Sequence, residues 1–147
     1  MRTLLDFRKG FYIYDYMVND NFLIKQLMTH MDLTLEDAKD EIKYLHNWFN
    51  SLPDELKLYR VILADDKKDI DFKQPGSHYG TNKRDLMDSH YFATGVGSNT
   101  YLLTVIADKS LIDKEETFHN RVLYPNENEI TLKNKGKGVK IINIKKL

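Results

Sequence analysis

Two hydrophobic periods divide the chain. From Thr34 to Leu52 the apolar residues return at helical spacing, with Leu35, Ala38, Ile42, Leu45, Phe49 and Leu52 on one stripe. Thr34 stands where a side chain caps free N–H groups, and Asp37 lies near the positive end of the helix dipole. Pro53 closes the helix, since it has no N–H to continue the ladder. A shorter helix is predicted to start at Asn19 or Asp20, with Leu23, Leu27, His30 and Met31 on one face, and to pack against the longer one. The run Phe11-Tyr12-Ile13-Tyr14-Asp15-Tyr16 keeps no clean period, so its structure stays open.

Beyond Pro53 a period of two takes over. Leu58-Tyr59-Arg60-Val61-Ile62-Leu63 reads as a strand, and Thr100 to Ala107 as a second, more buried one. Glu129 to Leu132 and Val139 to Ile144 read as a C-terminal hairpin turning through Asn134-Lys135-Gly136-Lys137-Gly138. Pro75-Gly76 breaks the chain before Ser77-His78-Tyr79, and Lys83 to His90 reads as a short helix. Helices first and strands later predict an α+β layout instead of alternating βαβ units. A helical region over 1–56 precedes a sheet-forming region over 57–147 within one domain, the number that 147 residues would fill.

Composition narrows the class only a little. Hydrophobic residues make up 41% and charged residues 30%, near globular averages, which forces neither disorder nor a membrane assignment. No stretch approaches the roughly 20 apolar residues of a membrane helix, and residues 1–18 hold no signal-peptide run. The absence of cysteine removes disulfides and thiolate chemistry and fits a reducing cytoplasm, the expected location. A net charge of zero argues against a general polyanion binder, although Thr131 to Leu147 carries Lys133, Lys135, Lys137, Lys140, Lys145 and Lys146 with no acid. Lysines of this kind also keep a terminal sheet edge from aggregating.

Several residue groups could carry chemistry. In a strand, Glu127 and Glu129 would face one way while Ile130 and Leu132 face the core, and like charges aimed into a cleft imply a compensating ligand. The plainer reading is a solvated strand start after Pro125-Asn126, because this spacing is common by chance. Arg60 lies mid-strand, where a buried guanidinium needs an anion, from the protein or from a ligand phosphate. Ser77-His78-Tyr79-Gly80-Thr81 gathers hydroxyls, an imidazole and an aromatic ring, but lacks the G-x-S-x-G of a hydrolase elbow. For His78 alone, a structural hydrogen bond to backbone is the commoner role. The five histidines show no metal-ligand spacing, so no metal site is expected, and the Gly95-Gly97 and Gly136-Gly138 pairs read as turns.

The order of these groups resembles the arginine–serine–glutamate branch of the ADP-ribosyltransferase family, in the small form found in phages and bacteria. Leu58-Tyr59-Arg60 is similar to that family's first core strand, Gly76 to Thr81 to its middle strand, and Tyr124 to Leu132 with the following glycine turn to its E-x-E loop and closing hairpin. The match runs from about Leu58 to Ile144. The resemblance implies a small, mainly antiparallel split β-sheet with N-terminal helices packed on it, and NAD as a substrate. It implies Glu129 as the catalytic carboxylate, Glu127 as the residue that receives an acceptor arginine on a target protein, and Arg60 on the NAD phosphates. Tyr79 would stack on the nicotinamide, Ser77 or Thr81 would position Arg60 or Glu129, and residues 118–126 would touch the target. The family's Ser-Thr-Ser is absent and the stretch from Arg60 to Ser77 is short, which leaves altered specificity, NAD hydrolysis and a non-catalytic binding role open beside transfer.

Overall fold

The structure, a computed structural model, describes residues 19–88 and 93–147. The Phe11–Tyr16 run and the far end of the helix predicted over 83–90 lie outside them. Two compact units divide at 50/51.

The first unit is built on α1 (Asp20–His30) and α2 (Leu35–Ser51). Asn19 caps α1 by accepting from the Phe22 N–H at 2.9 Å, and Thr34 Oγ1 does the same for Asp37 at 3.2 Å. Leu23 and Leu27 are buried from α1, and Ala38, Ile42 and Leu45 from α2. The His46 ring meets the Asp20 carboxylate at 2.8 Å, joining the two helices. His30 and Met31, expected on the apolar face, are exposed because α1 ends there and Met31 serves as its C-cap.

The second unit holds the sheet, formed by β1 (Glu55–Ala64), β2 (His78–Gly80), β3 (Ala93–Gly95), β4 (Asn99–Asp108), β5 (Glu129–Thr131) and β6 (Lys140–Lys146), with helices α3 (Lys83–Asp88) and α4 (Lys114–Leu123). Its order is β5-β2-β1-β4-β6, with β3 also on β1. All pairings are antiparallel except β1 with β3. The spine is the antiparallel ladder of β1 and β4, in register from Glu55 opposite Asp108 to Ala64 opposite Asn99. Leu58, Val61, Leu103, Val105 and Ala107 on it are fully buried. The α+β reading therefore holds for the described residues.

The C-terminal hairpin does not form. β5 pairs with β2 at one end of the sheet order and β6 with β4 at the other. Between them Asn134 and Lys135 take consecutive left-handed conformations, followed by Gly136, so the chain coils away where a two-stranded turn would have doubled back. The ten-residue β4 offers β6 a long apolar ladder that the three-residue β5 cannot match.

Candidate functional site

Arg60 occupies a branch point. β1 pairs with β4 along its whole length, but its other edge is shared: Tyr59 faces Gly80 of β2, while Val61 to Leu63 pair with β3. Where the neighbour changes from one strand to the other, backbone carbonyls lose their ladder partners and need donors from elsewhere. The Arg60 guanidinium supplies them, donating from Nε to Pro75 O at 2.9 Å and from Nη1 to His78 O at 2.7 Å. Its Cζ stands 5.8 Å from the centre of the Tyr79 ring. Gly76 leaves room for it; at φ +137° a Cβ there would overlap the guanidinium. Burial pulls Arg60 below its ordinary pKa, opposed by Tyr79 and then by Glu129. An arginine stays cationic under such a shift.

β2 is the segment the surroundings converge on. Ser77 O accepts from Leu132 N at 2.7 Å, extending the β2–β5 pairing by a residue, and Thr81 Oγ1 donates to Asn128 O at 3.3 Å. Tyr79 is 2% exposed. Its ring is covered, and a Cβ on Gly136 would overlap its hydroxyl, which has no hydrogen-bond partner. Burial pushes that phenol up to about 12, with Arg60 opposing. A nicotinamide-stacking role finds no presented ring here; what Tyr79 supports is Arg60.

β5 is held from behind by α4, an element the hydrophobic pattern left unread. Asp113 caps α4 by accepting from Glu116 N at 3.1 Å. From that helix Thr117 Oγ1 brackets the Thr131 backbone, accepting from its N–H at 3.0 Å and donating to its carbonyl at 3.3 Å. Asn120 donates to Thr131 Oγ1 at 3.1 Å, and Arg121 Nε to Glu129 O at 3.1 Å. Phe118, expected among target-contacting residues, is buried, whereas Tyr124 just past the helix is exposed.

The two glutamates are not on one strand. Pro125–Glu127 forms a 3-10 turn, Asn128 is left-handed at φ 50°, and Glu129 opens β5. The left-handed residue breaks the period of two on which a shared face depended. The carboxylates nonetheless sense each other: Glu127 is raised above the ordinary carboxylate range first by burial and next by Glu129, with His78 opposing.

Glu129 finds its partner on β2. Gly80 lies opposite Glu129 and His78 opposite Thr131, so these side chains share one face, and Tyr79 with Ile130 takes the other. His78 and Glu129 are diagonal neighbours across this pair, close enough for long side chains to meet. His78 Nδ1 contacts Glu129 Oε1 as an ion pair, and Thr131 Oγ1 stands 3.4 Å from the same nitrogen. The carboxylate is largely shielded, at 16% side-chain exposure, while the imidazole is open, at 57%. The bond to Glu129 raises His78 above its ordinary pKa; desolvation opposes this, and Arg60 and Glu116 act weakly in opposite senses.

The structure therefore brings Arg60, residues 75–81 and Glu129 onto adjacent strands, with Arg60 on the Tyr79 side of β2 and the His78–Glu129 pair on the other. Sequence reasoning named Arg60 and Glu129 and passed over His78 as partner to Glu129, a link visible only once β2 and β5 are known to pair. Among the described residues no group of histidine and carboxylate side chains is arranged to hold a metal ion, and no helix is long and apolar enough to cross a membrane. No protein-family model, curated protein or solved structure matches the chain.

Proposed function

We propose that the protein is an NAD-dependent mono-ADP-ribosyltransferase acting on a protein in its own cytoplasm, with arginine as the acceptor. The observation that carries the reading is the adjacency of three strands. Arg60, the 75–81 segment and Glu129 come from well-separated parts of the sequence and lie on the adjacent strands β1, β2 and β5, Arg60 on one face of β2 and Glu129 on the other. Cleavage of the nicotinamide–ribose bond builds positive charge on the ribose, as glycoside hydrolysis does. A fixed, shielded carboxylate such as Glu129 stabilises that charge, and Arg60 adds positive potential for the pyrophosphate while keeping residues 75–78 in place. Glu127, less confined and raised in proton affinity, is suited to receive the acceptor's protons.

A second reading, a binding protein on the same fold, is favoured by one fact: the Arg60 guanidinium is engaged by the Pro75 and His78 carbonyls. The discriminating experiment is nicotinamide release from NAD in the presence of candidate cell lysates. Transfer predicts that Glu129→Ala slows release by about 100- to 1,000-fold, the usual effect of removing one electrostatic stabiliser. Equal rates for wild type and variant would end the catalytic claim. ADP-ribose left on a macromolecule separates transfer from NAD hydrolysis, and no heat of binding at millimolar NAD would leave the binding-protein reading.

A further inference from the structure

We propose that His78 is the positioning residue for Glu129 and that the pair is a proton-controlled switch: with the ring neutral the carboxylate is held with its full charge, and with the ring protonated that charge is offset. This rests on the reading of Glu129 as the charge-stabilising group, and it replaces Ser77 and Thr81 in the role of orienting it.

Three features support the assignment. First, the register is fixed: His78 and Glu129 lie diagonally across the β2–β5 pair on one face, and β5 cannot slide, because Thr117, Asn120 and Arg121 of α4 fasten both its ends. Second, the partners are unequally covered: Glu129 is mostly withdrawn from water while His78 stands open, so solvent reaches the imidazole more readily than the carboxylate. Third, Thr131 Oγ1, which already accepts from Asn120, stands near the same ring nitrogen and keeps the imidazole turned toward β5.

The charged neighbours fix the direction. Glu129 and Glu127 on the β5 side and Glu116 on α4 favour the imidazolium; Arg60 on β1 opposes it. The acids prevail, and His78 gains a proton more readily than a free histidine. A positive ring beside Glu129 disfavours a second positive charge on ribose, so turnover should rise with pH through the His78 titration. For stability the sign is reversed. With a folded-state pKa above the unfolded one, the pair's contribution is fully present below the ordinary histidine value of about 6.5 and is lost as pH rises through the folded-state pKa.

The test begins without substrate. NMR titration of the full chain, with the His78 signals assigned by difference from His78→Gln, should place the wild-type midpoint above the ordinary histidine value and bring it down in Glu129→Gln. A wild-type midpoint at or below the ordinary value, or one unmoved by Glu129→Gln, overturns the proposal whatever turnover shows. With NAD, His78→Gln should lower kcat about tenfold with KM little changed and abolish the acid limb of the profile. An unaltered limb in that variant also overturns it. If the titrations behave as expected and wild type releases no nicotinamide at any pH, the transferase reading falls while the His78–Glu129 pair stands.

Discussion

The two flanks of the sheet are held in different ways. On the β4–β6 flank a seven-residue strand lies along a ten-residue one, with Ile141 and Ile144 half-buried and Ile142, Lys140, Lys145 and Lys146 exposed. Six backbone residue pairs and the buried residues of β4 carry that flank. On the β2–β5 flank both strands have three residues, too few to hold each other. Side chains take over, with Arg60 reaching carbonyls at 75 and 78, Thr81 one at 128, and Thr117, Asn120 and Arg121 gripping β5. A flank assembled from polar side chains is also the one able to keep a histidine–glutamate pair in place. On the β6 side, Phe72, Val139, Ile141 and Ile144 line an apolar depression with no such groups.

Breaking the difference should be easiest at Arg60. Arg60→Ala leaves two carbonyls without donors and a space beside Gly76, and should lower stability by about 3 kcal/mol in chemical denaturation. Arg60→Lys should recover little, since a point charge cannot reproduce the fork. Wild-type stability in Arg60→Ala would mean the short flank does not depend on its side chains. Next in size, Tyr79→Phe removes a buried hydroxyl that has no partner and should raise stability by about 1 kcal/mol, read as a higher denaturant midpoint at unchanged slope. The smallest effect belongs to the other flank: Lys145→Glu with Lys146→Glu should change stability by no more than about 0.5 kcal/mol and leave nicotinamide release unaltered. A large loss of release in that double variant would assign the lysine-bearing strand to the substrate.

What the sequence disclosed and what it withheld follow from range. Thr34 and the stripe from Leu35 announce α2 because cap and period are local, and the alternation around Leu58 and the apolar run around Leu102 announce β1 and β4 for the same reason. The pairing of β6 with β4 depends on a competition between distant strands, which a turn-like run such as Asn134 to Gly138 misrepresents. α4 carries a weak sequence signal because its buried residues are few, Thr117, Phe118 and Val122 among polar neighbours. Within the site, Arg60 stands out as a charge among apolar strand residues, and Glu129 through its spacing from Glu127 and the family resemblance. His78 reads in the sequence as a structural histidine bonded to backbone, because its partnership with Glu129 comes from a diagonal relation that exists only after β2 and β5 meet.

The shared edge of β1 also sets the order in which the unit should come apart. β2 is registered to β1 at a single residue pair, Tyr59 with Gly80, whereas β4 is registered along the full strand. Amide hydrogens of β2 and β5 should therefore exchange through a partial opening of much lower free energy than the one that exposes β1 and β4. That opening parts His78 and Glu129 from the branch point while the β1–β4 ladder stays closed, so the candidate site can reorganise around an incoming molecule without global unfolding.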